Sequence, residues 1–500
     1  MAFRPHGLLV VVIFMAQAAN AAQGKHKESL SDKVNRDMSL KEQMTLTLSL
    51  SMPSIMAQFS SICMQYIDAA MVGSLGATAS ASIGLMAAPV WLFSGICISA
   101  CSGFSVQVAH LLGAREAVNA RIVVRQAYVV QLLFAAVIAV IACSLSDFLP
   151  VFLGGSPEII DNAGSYFFIF MSALPFFMLN YLSSAMLRCS GNMLLPSLLN
   201  ILMCLLDVVF NFIFIFPSRT ATYPIIGEVE VFGFGYGVIG AALGTVCAAA
   251  ITGVLMAFFL LFRSPSLKLS LDRFPTWGLW LHSFFPTWPV VRRALRISLP
   301  ISAQQFMISS AQIVSTMIVA PLGTASIAAH SFAITIEALC YMPGFGISDA
   351  ATTLVGQSIG ARRFDLTYRF AKITLVFGAL VMGFMGLLMY VFSPWIMSLM
   401  TPDLEVQALA VAALRIEAFA EPLFAVSIVG YGICVGAGDT LIPSLMNLGS
   451  MWLVRLGLAY VLAGMYGLSG VWMAMCFELC FRGLIFLARL KWGHWMKTLD

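Results

Sequence analysis

Long apolar runs follow one another through most of this 500-residue chain, separated by short polar interruptions. A run of about 20 apolar residues is long enough to cross the hydrocarbon core of a bilayer as a helix. Backbone groups in lipid must be satisfied within their own segment, and these runs lack the short alternation of a membrane β-barrel. Only 10% of the residues are charged, whereas soluble domains carry about 25%. The sequence therefore predicts an all-α membrane protein.

Twelve membrane spans are expected, numbered here in chain order. Spans 1 to 6 lie near 46–72, 81–110, 124–146, 161–187, 194–216 and 237–262. Spans 7 to 12 lie near 295–320, 325–358, 370–396, 406–434, 441–462 and 467–490. They predict an N-terminal six-helix bundle, 46–262, and a C-terminal six-helix bundle, 295–490. An N-terminal segment 1–45, a cytoplasmic linker 263–294 and a cytoplasmic tail 491–500 complete the chain.

The two bundles repeat one another at a constant spacing of 247 residues. Pro53 corresponds to Pro300 (300 − 53 = 247). Other matched pairs are Gly113/Gly360, Arg115/Arg362, Pro175/Pro422, Gly191/Gly438 and Pro196/Pro443. After span 5 the register resumes at 230 (Gly237/Gly467), which places a surplus of 17 residues (247 − 230) in loop 217–236. Internal repeats in apolar chains are typical of transporters. Pro175 and Pro422 are expected to interrupt spans 4 and 10.

Basic residues concentrate in the loops that follow the even-numbered spans. They include Arg115, Arg121, Arg125, Arg188, Arg263, Lys268, Arg273, Arg362 and Arg363. The intervening loops hold the acids Asp147, Glu158, Glu228, Glu230, Asp403 and Glu405. We call these two sides of the bundles the basic end and the acidic end. The positive-inside rule predicts that the basic end and both termini are cytoplasmic, in a multi-pass protein of the plasma membrane (the inner membrane in a bacterium). Because the bundles share one orientation, we expect a pseudo-two-fold axis along the membrane normal.

Residues 1–22 resemble a secretory signal, because Arg4 precedes the apolar run Leu8–Ala16 and the small-residue stretch Ala18–Ala22. Cleavage there would place the following lysines outside the cell, against the charge bias of the loops. We therefore favour an uncleaved or misassigned start over a processed signal. Mass spectrometry of the N-terminus distinguishes the two.

Ionisable residues inside the spans break the repeat, whereas its glycines and prolines obey it. Asp68 in span 1 corresponds to Ser315, and Asp207 in span 5 corresponds to Val454. An ionisable group near the bilayer centre costs about 2.5–3.5 kcal/mol on insertion scales, so it normally faces a cavity or a partner. Such departures from the repeat are therefore candidates for function.

Asp68 and Asp207, with Asn211 one helical turn further along span 5, form a candidate site for proton or cation coupling in the N-terminal bundle. Asn180 and Thr245 are candidate polar partners. A carboxyl group in low-dielectric surroundings can exchange a proton or attract a cation. If the coupling ion is Na⁺, Asp68 and Asp207 are its candidate ligands. The alternative interpretation is an interhelical hydrogen-bond pair that only stabilises the bundle.

The C-terminal bundle holds a second candidate group, for substrate or a second ion. Its members without an ionisable counterpart are Glu337, Asp349, Glu417, Glu421 and Arg455. A structural role remains open, because Arg455 can neutralise one of the acids. Glu478 and Arg482 lie at i and i+4, which predicts a local ion pair. Gln65 and Gln312 occupy equivalent positions in spans 1 and 7, and either line the cavity or hydrogen-bond between helices.

Several segments resemble the multidrug and toxic compound extrusion (MATE) family. Segment 67–76 is similar to the family's first-helix pattern, segments 328–330, 337–339, 342–346 and 350–357 to its eighth-helix pattern, and 436–440 with Pro443 to the loop after helix 10. The resemblance covers about 46–490. It implies a 6+6 helix fold that exports organic cations in exchange for H⁺ or Na⁺.

The resemblance also implies roles for individual residues. Asp68 falls on the family's helix-1 acid. Helix 5 of the family often carries Asn followed by Asp four residues later, and here the order is reversed, Asp207 before Asn211. Some members carry a helix-7 glutamate for sodium, whereas span 7 holds no acid. These points favour H⁺ over Na⁺.

The main hypothesis is a monomeric alternating-access antiporter that exports amphiphilic, mostly cationic small molecules, without nucleic acid or an organic cofactor. A flippase for lipid-linked saccharides in the same superfamily is the alternative, but it would need a basic cavity. A major-facilitator transporter is disfavoured because its basic Gly/Asp/Arg loop between helices 2 and 3 is absent. An enzyme is disfavoured because the sequence lacks a metal-ligand spacing, a nucleophile elbow and a phosphate loop.

Overall fold

The computed structural model describes residues 29–223, 227–269 and 282–496. The signal-like segment 1–22 and the linker residue Arg273 lie outside these ranges. Within them the chain is almost entirely helical. Span 1 begins with a capping box, because the Ser39 side chain accepts from the Glu42 backbone N–H while the Glu42 carboxylate accepts from the Ser39 N–H.

Six spans form the N-terminal bundle. Spans 1 to 3 are Leu40–Gly73, Ala77–Gly113 and Ala117–Ser144. Span 4 is the pair Pro157–Ser172 and Leu174–Cys189, span 5 is Leu194–Ile215, and span 6 is Gly237–Phe258 with the π-helical turn Phe259–Arg263. Two short helices, Leu30–Val34 and Phe148–Phe152, precede spans 1 and 4.

Six spans also form the C-terminal bundle. Span 7 is Trp288–Val319 with the 3₁₀ turn Ala320–Leu322, and spans 8 and 9 are Thr324–Gly360 and Phe364–Met400. Span 10 is the pair Leu404–Glu417 and Glu421–Gly436. Leu441–Gly449, the π-helical turn Ser450–Arg455 and Leu456–Trp492 make up spans 11 and 12.

Spans 11 and 12 are separated by a reversal at Gly467, whose φ of 60° and ψ of −138° are not helical. Ser450 contacts Glu478, and Arg455 contacts Met475. Each of these pairs joins residues on opposite sides of the turn, so the chain doubles back there. Glycine permits this backbone conformation because it has no Cβ.

Eight helices in the described part of the chain are long and apolar enough to cross a membrane, or ten if each bent pair is one span. The 52-residue segment Leu441–Trp492 is one of the eight. As a single helix it would extend about 78 Å, far beyond a hydrocarbon core of about 30 Å, so its reversal makes it two spans. Span 1 is the twelfth. The prediction of twelve spans in two bundles is confirmed.

The surplus loop 217–236 folds into an antiparallel hairpin, whereas the sequence predicts only a loop there. Strand β1 (Pro217–Tyr223) pairs with β2 (Gly227–Phe234). The Phe234 ring lies 5.5 Å from the Phe214 ring at the end of span 5. The inserted hairpin therefore packs at the acidic end, between spans 5 and 6, and the internal repeat resumes after it at Gly237.

Spans 4 and 10 bend at equivalent places. The two helices of span 4 differ in direction by 45°, and those of span 10 by 60°. Pro175 and Pro422 are each the second residue of the helix after the bend. Proline is tolerated there because its missing N–H would have no partner in the first turn. The predicted interruptions are confirmed.

The two bundles approach most closely at the basic ends of spans 2 and 8. A Cβ on Gly113 would lie 2.0 Å from the carbonyl oxygen of Gln357, and a Cβ on Gly360 would lie 2.0 Å from that of His110. The 247-residue register exchanges these two contacts, since it relates Gly113 to Gly360 and His110 to Gln357. The pseudo-two-fold axis therefore passes between them. We call this interface the seam.

The seam is closed at the basic end. Gln357 donates to the Cys189 carbonyl (2.6 Å), and Arg188 pairs with Asp349 (3.1 Å). Toward the acidic end, the Tyr66 hydroxyl still donates to the Thr335 carbonyl (2.6 Å). Beyond that contact, a Cβ on Gly76 or Gly323 in the loops at the acidic end would have no neighbour within 4 Å.

The seam contacts predict a conformational effect of adding one methyl group. Gly113→Ala should separate the bundles at the basic end, because the new Cβ collides with backbone and overpacking costs about 1–3 kcal/mol. Cys189 is buried at the seam, and its thiol donates to the Ser105 carbonyl (3.2 Å). In a variant whose other cysteines are replaced, we expect its alkylation to accelerate by about tenfold, equivalent to about 1.4 kcal/mol.

Gly84→Ala is the matched control, because a Cβ at Gly84 meets no atom within 4 Å. Equal alkylation rates in Gly113→Ala and Gly84→Ala would show that the seam does not depend on this close approach.

Candidate functional site

Two carboxyl groups and one amide meet inside the N-terminal bundle. The Asn211 side-chain N–H donates to Asp68 Oδ1 (2.8 Å) and to Asp207 Oδ2 (3.1 Å). Asp207 and Asn211 are fully buried, and Asp68 is partly buried. The structure thus joins span 1 to span 5 through one amide. We call Asp68, Asp207 and Asn211 the N-bundle cluster.

Helical spacing and a missing side chain position the Asn211 amide. Asp207 and Asn211 are four residues apart, so both project from one face of span 5. Gly244 of span 6 packs against that face, and a Cβ on Gly244 would lie 2.0 Å from Asn211 Oδ1. The close packing of spans 5 and 6 therefore holds the amide against the carboxyl groups.

The other predicted members of this site divide between two locations. Thr245, next to Gly244, is close enough to influence the Asp207 carboxyl group, although its hydroxyl donates to the Ala241 carbonyl (3.2 Å). Asn180 instead donates to the Thr252 hydroxyl (3.0 Å), two helical turns further along span 6. The structure therefore brings Thr245 to the cluster and places Asn180 in a separate span 4–span 6 hydrogen bond. Thr245 and Thr252 are seven residues apart and therefore lie on the same face of span 6, which is how the sequence could have indicated Thr252 as the partner of Asn180.

Sequence reasoning missed Tyr166 and Gly244. The Tyr166 ring lies within electrostatic range of both Asp68 and Asp207. It packs among apolar residues of spans 1, 2, 5 and 6. Nothing in the sequence distinguished Tyr166 from the other aromatic residues of span 4, because the fold alone decides which of them faces span 1.

The N-bundle cluster lacks a positive charge to balance its two carboxyl groups. Among the described residues, Asp207 Oδ1 and Asn211 Oδ1 have no hydrogen-bond partner. Two carboxylates that share one neutral amide repel one another in a low-dielectric interior. Burying charge without a partner costs several kcal/mol per ion, on the order of 3–5 kcal/mol for a broken pair. A proton or a small cation at the cluster would remove this cost.

The C-terminal bundle contains a second set of buried acids. Glu417 and Glu421 are fully buried, and all four of their carboxyl oxygens lack a hydrogen-bond partner among the described residues. Glu337 of span 8 is also buried and lies within electrostatic range of Glu417, Glu421 and Arg455. Arg482 also lies within electrostatic range of Glu337, but it pairs with Glu478. The three acids therefore share Arg455, whose own hydrogen bond goes to Met475. We call Glu337, Glu417 and Glu421 the C-bundle acids.

The remaining predicted residues lie elsewhere. Asp349 pairs across the seam with Arg188, so it is separate from the C-bundle acids. Glu478 pairs with Arg482 (2.7 Å), as the i, i+4 spacing predicted, and also accepts from Ser450. Gln65 and Gln312 are exposed. Within the described ranges, no group of three or more His, Cys, Asp or Glu side chains is arranged to hold a metal ion.

Comparison with known proteins gives the family. The MatE family model matches residues 53–213 and 300–461, which together are well over half of the chain. The two matches begin 247 residues apart (300 − 53), at the spacing of the internal repeat. This chain is a MATE-family efflux transporter. It belongs to a family of transporters that cross the membrane several times, which confirms the resemblance seen in the sequence.

Named relatives match this MATE chain over almost its full length. The "Probable multidrug resistance protein NorM" of Thermotoga maritima is 25% identical over 456 residues, covering 90% of this chain and 92% of the relative. The protein of the same name from Pseudomonas aeruginosa is 29% identical over 437 residues, covering 85% and 84%.

Solved structures show the same fold. A MOP superfamily transporter from Pyrococcus furiosus superposes with a TM-score of 0.82 at 20% identity, covering 95% of this chain and all of that one. The Vibrio cholerae MATE transporter VcmN in its bent form gives a TM-score of 0.78 at 18% identity, covering 91% and 97%.

The packing around Asn211 predicts the effect of Gly244→Ala. The new Cβ would displace the amide that joins Asp68 to Asp207, at an overpacking cost of about 1–3 kcal/mol. We expect gradient-driven dye efflux from proteoliposomes to fall by about tenfold, which corresponds to about 1.4 kcal/mol. Gly457→Ala, in an open helical position, should leave efflux unchanged.

Asn211→Ala provides a second test, because truncation removes the side-chain oxygen that the Cβ would meet at 2.0 Å and leaves the Asn211 backbone nitrogen at 2.9 Å. In that background the further effect of Gly244→Ala should be smaller than in the parental protein. Additive losses in the double variant would place the effect of Gly244 outside the cluster.

Proposed function

We propose that this protein is an antiporter that exports organic, mostly cationic amphiphilic compounds by alternating access, in exchange for a cation bound at the N-bundle cluster. The observation that carries the proposal is the Asn211 amide, which holds Asp68 and Asp207 together without neutralising them. The cluster lacks one positive charge and therefore attracts a coupling cation. Coupling follows if binding of this cation and binding of the substrate, which we place at the C-bundle acids below, favour opposite conformations of the transporter.

The sign of the interior charge supports a cationic substrate. In the MOP superfamily transporter from Pyrococcus furiosus, reverse polarity of the binding pocket suggests a different function. Pocket charge, rather than fold, is therefore the feature to compare. In this chain the N-bundle cluster and the C-bundle acids are acidic, and Arg455 lies among acids. A flippase for lipid-linked saccharides would need the opposite polarity. The NorM relatives are named for multidrug resistance, which agrees with export of such compounds.

The orientation of Asn211 favours H⁺ over Na⁺ as the coupling ion. Its N–H group, a donor, points between the two carboxyl groups, whereas its oxygen points toward Gly244. Hard cations are bound by oxygen atoms, and an amide N–H at the centre of the site would repel Na⁺. A proton shared by the carboxyl groups needs no such ligand. Span 7, Trp288–Val319, contains no acid.

The closed seam indicates which step of the cycle this conformation represents. If the basic end is cytoplasmic, as the positive-inside rule predicts, the structure is closed toward the cytoplasm. Substrate release and ion entry would then take place at the acidic end. The monomer contains both bundles and both acidic groups, so we propose that it transports alone, in the plasma membrane, without an organic cofactor.

The coupling proposal is tested by efflux of a cationic dye from proteoliposomes under separate H⁺ and Na⁺ gradients. Asp68→Asn and Asp207→Asn should reduce H⁺-driven efflux by about 5- to 150-fold, the range of typical coupling free energies of about 1–3 kcal/mol. Asp161→Asn is the control, because Asp161 is an exposed acid at the start of span 4. Parental efflux in both variants, or efflux driven only by Na⁺, would contradict proton coupling at this cluster.

The C-bundle acids supply a second test, since we propose that Glu417 and Glu421 receive the cationic group of the substrate. Glu417→Gln and Glu421→Gln keep the side-chain shape but remove the negative charge. We expect the KM for a monovalent cationic dye to rise by about tenfold, equivalent to about 1.4 kcal/mol of binding, while the KM for a neutral dye changes little.

Glu478→Gln is the structural contrast. It removes one partner of the buried Glu478–Arg482 pair, which typically costs about 3–5 kcal/mol of stability. We therefore expect a lower unfolding temperature for Glu478→Gln and a parental one for the other two variants. Equal KM values for the two dyes in Glu417→Gln and Glu421→Gln would indicate that these acids are structural.

A further inference from the structure

The short helix Leu30–Val34 and the residues next to it occupy a groove at one side of the seam. The Ser31 hydroxyl donates to the Leu112 carbonyl (2.6 Å), and the Asn35 side chain donates to the Gly113 carbonyl (2.9 Å). Asp32 lies 4.0 Å from Arg115. We call this the first seam groove. The segment that fills it presents hydroxyl and amide donors to the end of span 2 and an anion to the following arginine.

Apolar side chains of the same segment bridge the two bundles. Leu30 and Val34 are buried in one cluster with Met193 of the N-terminal bundle and with Leu354 and Phe370 of the C-terminal bundle. An occupant of the first seam groove therefore contacts both halves of the transporter where they are closed against one another.

The internal repeat places a second groove on the other side of the pseudo-two-fold axis. Adding 247 to Leu112, Gly113 and Arg115 gives Ile359, Gly360 and Arg362. These three residues line a cavity of about 430 Å³ between the bundles at the basic end, together with Gln107, His110 and Arg293. We call this cavity the second seam groove. Its location is that of the first groove, related by the pseudo-two-fold axis.

The two grooves share a backbone feature that confirms their equivalence. Arg115 and Arg362 are the non-glycine residues with positive φ in the described part of the chain, at 62° and 56°. In the first groove the arginine has an anionic neighbour, Asp32. Among the described residues, neither Arg362 nor Arg293 has an ion-pair partner. The second groove therefore repeats the arginine of the first groove without the ion-pair partner that Asp32 provides there.

Differences between the grooves specify what would fit. Arg293 corresponds to the apolar Leu46, so the second groove gains a cation at that position. Glu116 corresponds to Arg363, which binds Asp37 in the first groove (2.8 Å), so an acceptor replaces a cation there. Two arginines on one wall and a carboxylate on the other match a ligand that carries both an anionic group and hydrogen-bond donors.

We propose that the second seam groove binds the headgroup of a glycerophospholipid that carries one phosphate and free hydroxyl groups, such as phosphatidylglycerol. Arg293 and Arg362 hold the phosphate, because guanidinium groups bind phosphate oxygens through paired, charge-assisted hydrogen bonds. The hydroxyl groups donate to the Ile359 and Gly360 carbonyls and to Glu116, as Ser31 and Asn35 donate in the first groove.

The surroundings favour a lipid over a soluble phosphate ester. Leu111, Ile122 and Val290 add an apolar side to the cavity. Trp288 begins span 7 and is 67% exposed, a position typical of tryptophan at the membrane–water interface. A headgroup in the cavity can therefore leave its acyl chains in the bilayer. The bound lipid contacts both bundles and holds the basic end closed.

The proposal is tested on the purified full-length protein by native mass spectrometry with phosphatidylglycerol, phosphatidylcholine and glycerol 3-phosphate as separate probes. We expect phosphatidylglycerol to bind in preference to phosphatidylcholine, whose quaternary ammonium group has no donor, and to glycerol 3-phosphate. Arg293→Gln and Arg362→Gln should each weaken phosphatidylglycerol binding by about tenfold, equivalent to about 1.4 kcal/mol. Arg362→Lys, which keeps the charge, should lose less.

Arg115→Gln is the matched control, because it is the equivalent substitution in the occupied groove and should leave lipid binding unchanged. Parental binding in Arg293→Gln and Arg362→Gln, an equal loss in Arg115→Gln, or equal affinity for phosphatidylcholine would overturn the proposal. Binding of glycerol 3-phosphate as tight as that of the lipid would overturn the assignment to a lipid. Because this assay measures no transport, its outcome is independent of the proposed coupling mechanism.

Discussion

The close approach of two helix ends at the pseudo-two-fold axis is the constraint on which this structure depends. Gly113 and Gly360 each lie against a carbonyl of the opposite bundle, at a distance that leaves no room for a Cβ. Two bundles without a shared hydrophobic driving force in lipid associate through such close packing and through hydrogen bonds. The contact at the axis lies at the basic end, whereas a Cβ on Gly76 or Gly323 in the loops at the acidic end would have no neighbour within 4 Å. The alternating access proposed above would require this contact to break and re-form.

The repeated frame and the chemistry occupy different residues. Glycines, prolines and the loop arginines obey the 247-residue register, since both bundles need the same turns, bends and close approaches. The interior acids do not obey it, and the structure collects them into two groups of different character. The N-bundle cluster is organised by one amide, whereas Glu417 and Glu421 have no hydrogen-bond partner among the described residues. A symmetric scaffold with asymmetric charge is what the proposed separation of the coupling-ion site from the substrate site requires.

The same asymmetry extends to the surface of the seam. One groove is filled by the short helix Leu30–Val34 and the residues next to it, and its counterpart is lined by Arg293, Arg362 and Glu116 instead. Both lie at the closed end, so an occupant of either one adds contacts that the opposite conformation loses. A ligand can shift a conformational equilibrium only by its differential affinity for the two states. An occupant of a seam groove can have such a differential affinity, because one wall of each groove belongs to the N-terminal bundle and the other to the C-terminal bundle.

The sequence by itself determined the number of spans, the two-fold repeat, the bends at Pro175 and Pro422 and the Glu478–Arg482 pair, because hydrophobic length, proline chemistry and helical spacing are local properties. It also singled out Asp68, Asp207 and Asn211, since acids in lipid-length apolar runs are costly. Only the tertiary structure decided which polar residues meet. It joined Asn180 to Thr252, paired Asp349 with Arg188 and brought Tyr166 and Gly244 to the N-bundle cluster, because rotation and bending of packed helices set those contacts. The β-hairpin also appears only in the tertiary structure, because each strand is stabilised by pairing with the other and by packing against the end of span 5.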